Sequence, residues 1–265
     1  MKWKMKIVGA VTVTALLFQL SSVQARNCDP CNIVPDVTAT FNGMKPAGYW
    51  GVKIRLYDND SDATGDYAWQ TKSQWGGIFS WTGDKEYFFQ EKLSAADTKK
   101  FISFCLEVNQ SVNQDDNKLN KFKIASLHEA PVQANDKTNG GRVEPMGQNA
   151  ADAITKLWGF KMPDLLPEIS TTPYSKETRI NVAAMQLAIW ELATDQGDFD
   201  LTAGHLRVFN PSINNKPNRE KVVIYAEQFY TESLAYYAAH PHAWKPTLVA
   251  LTNPCYQDQV VALVP

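Results

Sequence analysis

Short alternating runs dominate the first half of the chain. Val37-Thr38-Ala39-Thr40-Phe41 and Trp50-Gly51-Val52-Lys53-Ile54-Arg55-Leu56-Tyr57 are rich in β-branched and aromatic residues and predict strands. The acidic stretch Asp58-Asn59-Asp60-Ser61-Asp62 predicts a solvated turn, because it lacks the Gly and the distal Glu of an EF-hand calcium loop. Residues 74–90 carry Trp75, Phe79, Trp81, Tyr87, Phe88 and Phe89 and predict strands around a glycine turn. Phe101 to Val108 and Phe122 to Leu127 predict two more strands. The period then lengthens. Asn149 to Phe160 places Ala150, Ala153, Ile154, Leu157 and Trp158 on one helical face, and Pro163 and Pro167 are expected to end that helix. Ser175 suits a helix cap with Glu177 in the first turn. The helix it opens should run to about Thr194, with Val182, Met185, Gln186, Ile189, Trp190 and Ala193 on one stripe and Gly197 closing it. A strand-like stretch from Phe199 to Phe209 follows, then a helix from Asn218 to Ala239. Strands return at Thr247–Leu251 and Gln259–Val264. Strands, then helices, then strands argue for an α+β fold. The expected core is a β-sandwich or barrel-like sheet with a helical insertion in the second half.

The N-terminus follows a different pattern. Lys2, Lys4 and Lys6 precede an apolar run from Ile7 to Leu20, and Val23-Gln24-Ala25 offers a cleavage site. Residues 1–25 read as a signal peptide and 26–265 as a single domain, since no repeat or linker divides them. The apolar run is shorter than the roughly 18 residues a bilayer span needs, and no later stretch is long and apolar enough. Export to the cell surface or medium is therefore expected, with no stable membrane span in the mature chain.

Composition narrows the function classes. With 44% hydrophobic residues the chain is too apolar for disorder, and a net charge of -2 leaves no footprint for nucleic acid. No Gly-x-Ser-x-Gly, Walker lysine loop or His-Glu-x-x-His is present. The chain therefore reads as a non-enzyme without a cofactor. His240-Pro241-His242 reads as an exposed turn rather than a metal ligand set. The four cysteines are Cys28, Cys31, Cys105 and Cys255. In an oxidising compartment they would allow two disulfides in three connectivities. Cys28-Asp29-Pro30-Cys31 has redox spacing, but no strand or helix pattern precedes it. A bridge from either Cys28 or Cys31 to Cys255 would staple the two ends together.

Two segments carry candidate chemistry: Phe104-Cys105-Leu106-Glu107 in an apolar strand, and Met185-Gln186-Leu187-Ala188-Ile189-Trp190 in a helix. Gln186 is unusual because it sits on the stripe that should be buried, where an unsatisfied amide is costly. Taken singly, Gln186 fits a satisfied core glutamine and Cys105 a small core hydrophobe.

Together they resemble the bacterial thioester domain family. There a Cys-x-Glu strand and a Gln-x-Ala-Ile/Leu-Trp helix are joined by a Cys–Gln thioester. Cys105-Leu106-Glu107 and Gln186-Leu187-Ala188-Ile189-Trp190 match those halves in order, and the likeness runs from about Thr38 to the C-terminus. Gln257 to Pro265 is also similar to the stretch before a Pro-Glu-Pro sorting tail in exported Gram-negative relatives. The resemblance implies an exported, adhesin-like protein that captures an amine on a partner, a lysine side chain for example, once and covalently. It implies Cys105 as nucleophile and Gln186 as acyl donor. The residue types suggest Glu107 as proton shuttle, and Phe104 and Trp190 as apolar cover. The alternative is a non-covalent exported binding module, for instance for polysaccharide, which the aromatic surplus would suit.

Overall fold

The computed structural model describes residues 33–45, 51–61, 67–84, 99–108, 119–133, 143–170, 172–204, 206–208, 217–254 and 257–263. The expected signal peptide, Cys28, Cys31 and Cys255 lie outside the described residues, so the staple between the chain ends is not among the observed contacts.

Strands come first: β1 (Val37–Lys45), β2 (Gly51–Ser61), β3 (Tyr67–Trp75), β4 (Ile78–Gly83), β5 (Lys100–Cys105), β6 (Leu119–Ser126), β7 (Pro131–Gln133) and β8 (Val143–Pro145). Helices α1 (Gln148–Ile169), α2 (Lys176–Thr194) and α3 (Pro217–Ala239) follow, with the short strand β9 (Leu206–Val208) between the last two. Then β10 (Thr247–Thr252) and β11 (Gln259–Leu263) complete the chain. Six strands close into an antiparallel barrel in the order β1-β4-β5-β11-β10-β6, with β6 pairing back to β1. The other sheets are β3-β2-β9 and β7-β8. The fold is thus the expected α+β, with a barrel-like core and a helical insertion after the first strands. Closure leaves the barrel no open edge.

Chain-distant strands meet in this barrel. Gln259 lies opposite Cys105 and Val260 opposite Phe104, which brings the last strand beside β5. The inner face is aromatic. Trp81 lies 5.3 Å from Phe41 and meets Phe122 edge-on at 5.4 Å, although β6 is separated from β4 by β1. Side chains alternate along a strand. The pairings Phe79↔Ser103 and Trp81↔Phe101 therefore place Phe79, Trp81, Phe101, Ser103 and Cys105 on that same face.

Helix α2 is the central helix. The Ser175 hydroxyl accepts the Thr178 N–H at 2.9 Å, a cap worth about 1 kcal/mol. At the other end Gln196 and Gly197 turn left-handed with φ of 56° and 100°, and the Gly197 N–H reaches Leu192 O. Both ends fall where the sequence places them. The expected stripe is too narrow, however: every residue from Val182 to Ala193 is buried, because the barrel, α1 and α3 all pack against α2.

Three further expectations are corrected. Helix α1 runs straight through Pro163 and Pro167. Its buried face continues through Met162, Leu165 and Ile169 while both prolines stay exposed, so packing outweighs the missing N–H groups. Strand β2 extends through residues 58–60 to Ser61, which pairs with Tyr67 across an irregular register, so these residues are strand rather than the predicted turn. Among the described residues of the stretch 199–209 only Leu206–Val208 forms a strand. Among the described residues no helix is long and apolar enough to cross a membrane.

Candidate functional site

The register between β5 and β11 decides where the backbone of Cys105 points. Leu106 N–H donates to Asp258 O at 2.9 Å. Hydrogen-bonding and non-bonding pairs alternate in an antiparallel ladder, so Cys105 and Gln259 form a non-bonded pair. Their side chains approach closely, while the N–H and C=O of Cys105 turn away from β11. On that other side Phe79 pairs with Ser103, so a partner for Cys105 would be Gly77. Strand β4 begins only at Ile78.

Gln186 fills the gap. Its Oε1 accepts the Cys105 N–H at 3.0 Å, and its Nε2 donates to Cys105 O at 2.8 Å. The side-chain amide thus docks on the strand as one more peptide unit would. Both residues are buried, Gln186 at 0% and Cys105 at 1% exposure. Small residues allow the approach. A Cβ on Gly76 would lie 3.0 Å from Ala183 Cα and 3.1 Å from its carbonyl oxygen, and Ala183 is one turn before Gln186. Gln186 sits at mid-helix.

A polar network surrounds the sulfur. Trp81 Nε1 donates to Ser103 Oγ at 2.7 Å, and Ser103 Oγ donates to Gln259 Oε1 at 2.7 Å. Gln259 Nε2 donates to Gln257 O at 3.1 Å and to Cys105 Sγ at 3.8 Å. Burial pushes the Cys105 thiol well up; the Gln259 bond draws it back, and the Glu107 charge pushes it up again.

Glu107 lies two residues beyond Cys105, past the end of β5. It is buried, and its Oε2 accepts the Asp258 N–H at 3.2 Å. Gln257 Nε2 donates to its backbone carbonyl. Asp258 is buried beside it, with Oδ1 accepting Asn253 N–H at 2.7 Å and Oδ2 without a hydrogen-bond partner. Desolvation raises both carboxyls, and the charge of Glu107 raises Asp258 further. Two neighbouring acids in such a place retain at least one proton at neutral pH.

Other expected roles shift. Phe104 faces away from Cys105, as strand alternation requires, and meets Trp158 of α1 edge-on at 5.4 Å. It is core, not cover. Trp190 follows Gln186 by one turn and is buried, and its indole N–H has no acceptor among the described residues. Reading along the sequence missed Ser103, Trp81, Asp258 and Gln259. The one available signal was the polar triple Gln257-Asp258-Gln259 opening an apolar strand.

Among the described residues no group of three or more His, Cys, Asp or Glu side chains is arranged to hold a metal ion. No family model, curated protein or solved structure matches the chain.

Proposed function

We propose that this chain forms an internal thioester between Cys105 and Gln186 and uses it to capture an amine on a partner covalently. The observation that carries the reading is the double hydrogen bond between the Gln186 amide and the Cys105 backbone. It holds the acyl carbon next to the residue that bears the nucleophile, which lowers the cost of bringing distant parts of the chain together. The Cys105 N–H polarises the Gln186 carbonyl and receives the negative charge that grows on its oxygen during attack. The thiol sulfur bonds to Gln186 Cδ, the Cδ–Nε2 bond breaks, and the thiol proton leaves with the amide nitrogen as ammonia. A partner amine later displaces the sulfur. Its nitrogen forms an amide with Cδ, and one of its protons returns to Cys105. We assign the relay of that proton to Glu107, which is buried beside Asp258.

Burial supports this use. A thioester closed off from water is spared hydrolysis, and an amine reaches it only when its cover moves. Capture is therefore single-turnover and gated by the partner, which we take to be an amine-bearing surface molecule. Export through the N-terminal signal and an adhesin-like role belong to the same proposal.

The test is intact mass. The mature wild-type chain should be lighter than its sequence by one ammonia, and methylamine should add at Gln186 and free the Cys105 thiol. Cys105→Ala should abolish both while keeping the backbone pairing with Gln186. Wild-type protein at full sequence mass with no adduct would leave a non-covalent binding module as the better description.

A further inference from the structure

Trp81, Ser103 and Gln259 form a hydrogen-bond chain whose direction is set by chemistry. An indole nitrogen only donates, so Trp81 occupies a lone pair of Ser103 and leaves the Ser103 hydroxyl proton for Gln259 Oε1. The Gln259 amide is thereby oriented with Oε1 toward Ser103 and both N–H groups toward Gln257 O and Cys105 Sγ. The opposite orientation would set the amide oxygen against the Gln257 carbonyl and leave the Cys105 sulfur without this N–H donor. Gln259 is wholly buried, and it faces Cys105 as the close, non-bonded pair of the ladder.

We propose that Gln259 is a catalytic residue of the thioester chemistry, donating its amide N–H to the Cys105 sulfur whenever that atom carries negative charge. The proposal rests on the thioester reading above. Charge sits on sulfur twice. It grows as the thiol loses its proton and attacks Gln186 Cδ. It returns when an incoming amine breaks the C–S bond and the electron pair falls back on sulfur. A neutral donor suits both steps, because it stabilises the thiolate without becoming a competing nucleophile or base. Ser103 and Trp81 are positioning residues. They prevent the amide from rotating and presenting its oxygen to the sulfur.

The experiment compares full-length wild type with Gln259→Met, which keeps an unbranched side chain and loses the donor. Ammonia loss is followed by intact mass during refolding. The thiol pKa is then read from thiolate absorbance after methylamine opening, as the difference from Cys105→Ala. Removing a hydrogen bond to a charged atom should slow thioester formation about tenfold or more. It should also raise the thiol pKa by about one unit or more. Ser103→Ala should shift both in the same direction by less, and it decides the matter alone should Gln259→Met not fold. A wild-type chain that keeps its ammonia overturns the thioester reading itself. A wild-type chain that loses it, while the folded variant keeps pace with an unchanged thiol pKa, overturns the role of Gln259 alone.

Discussion

Gln186 and Glu191 lie five residues apart on α2, and both are wholly buried, yet their surroundings treat them oppositely. Gln186 has an acceptor for its nitrogen and a donor for its oxygen, both from one residue of β5. Among the described residues Glu191 has one donor, the Asp200 N–H at 2.9 Å, and its other oxygen has no hydrogen-bond partner. It borders a cavity of about 580 Å³ that Asp195, Asp198 and Asp200 also line. Desolvation, with the charge of Asp195 adding to it, pushes the Glu191 carboxyl up to about 9. A neutral amide can complete a strand edge, whereas a carboxylate needs donors that this end of the helix does not supply. One buried polar residue thus fixes a geometry, and the other holds a proton.

The sharpest way to break the comparison is Gln186→Leu. It leaves both the N–H and the C=O of Cys105 without their partner in the core. At about 1–3 kcal/mol for each orphaned group, we expect a loss of roughly 2–6 kcal/mol in denaturant unfolding. A loss under about 1 kcal/mol would show that the pairing does little for the fold.

Gly76→Ala tests the same end of the helix from the strand side. The new methyl would press on the Ala183 backbone, so α2 must shift. We expect a cost of about 1–3 kcal/mol and slower ammonia loss, since Gln186 would move with the helix. Unchanged kinetics would separate the approach of the helix from the chemistry.

The Glu191 end is probed by pH. Its carboxyl stays protonated in the native state while the unfolded chain releases the proton near the ordinary carboxylate value of 4.5. The native state then binds more protons, so this contribution to stability is complete below that value. It declines as pH rises, and is lost by about 9. The slope should reach at most about 1.4 kcal/mol per pH unit. Glu191→Gln should flatten the share of the slope due to this group. Chemical denaturation at a series of pH values measures it, and identical slopes in the two proteins would refute the assignment. Glu107 and Asp258 act in the same direction and should leave a residual slope.

The succession of strands and helices, the two ends of α2 and the candidate pair Cys105 and Gln186 could all be read along the chain. Each follows from signals within a few residues: alternation for β5, the Ser175 cap, the glycine at 197, and one amide on an apolar stripe. The course of α1 through Pro163 and Pro167 could not be read that way, because local propensity opposes it and only the buried face of Met162, Leu165 and Ile169 outweighs that cost. The surroundings of the sulfur were equally hidden. Gln259 lies 154 residues from Cys105 in sequence, and the polar triple it belongs to does not say which residue it will face. Closure of the barrel sets β11 beside β5, and the parity of their ladder turns the Gln259 side chain toward Cys105 while turning the Cys105 backbone toward Gln186. Residue identity supplied the nucleophile and the amide, which short patterns encode. Strand order and register supplied everything that orients them, since those are properties of long-range pairing that no local stretch of sequence contains.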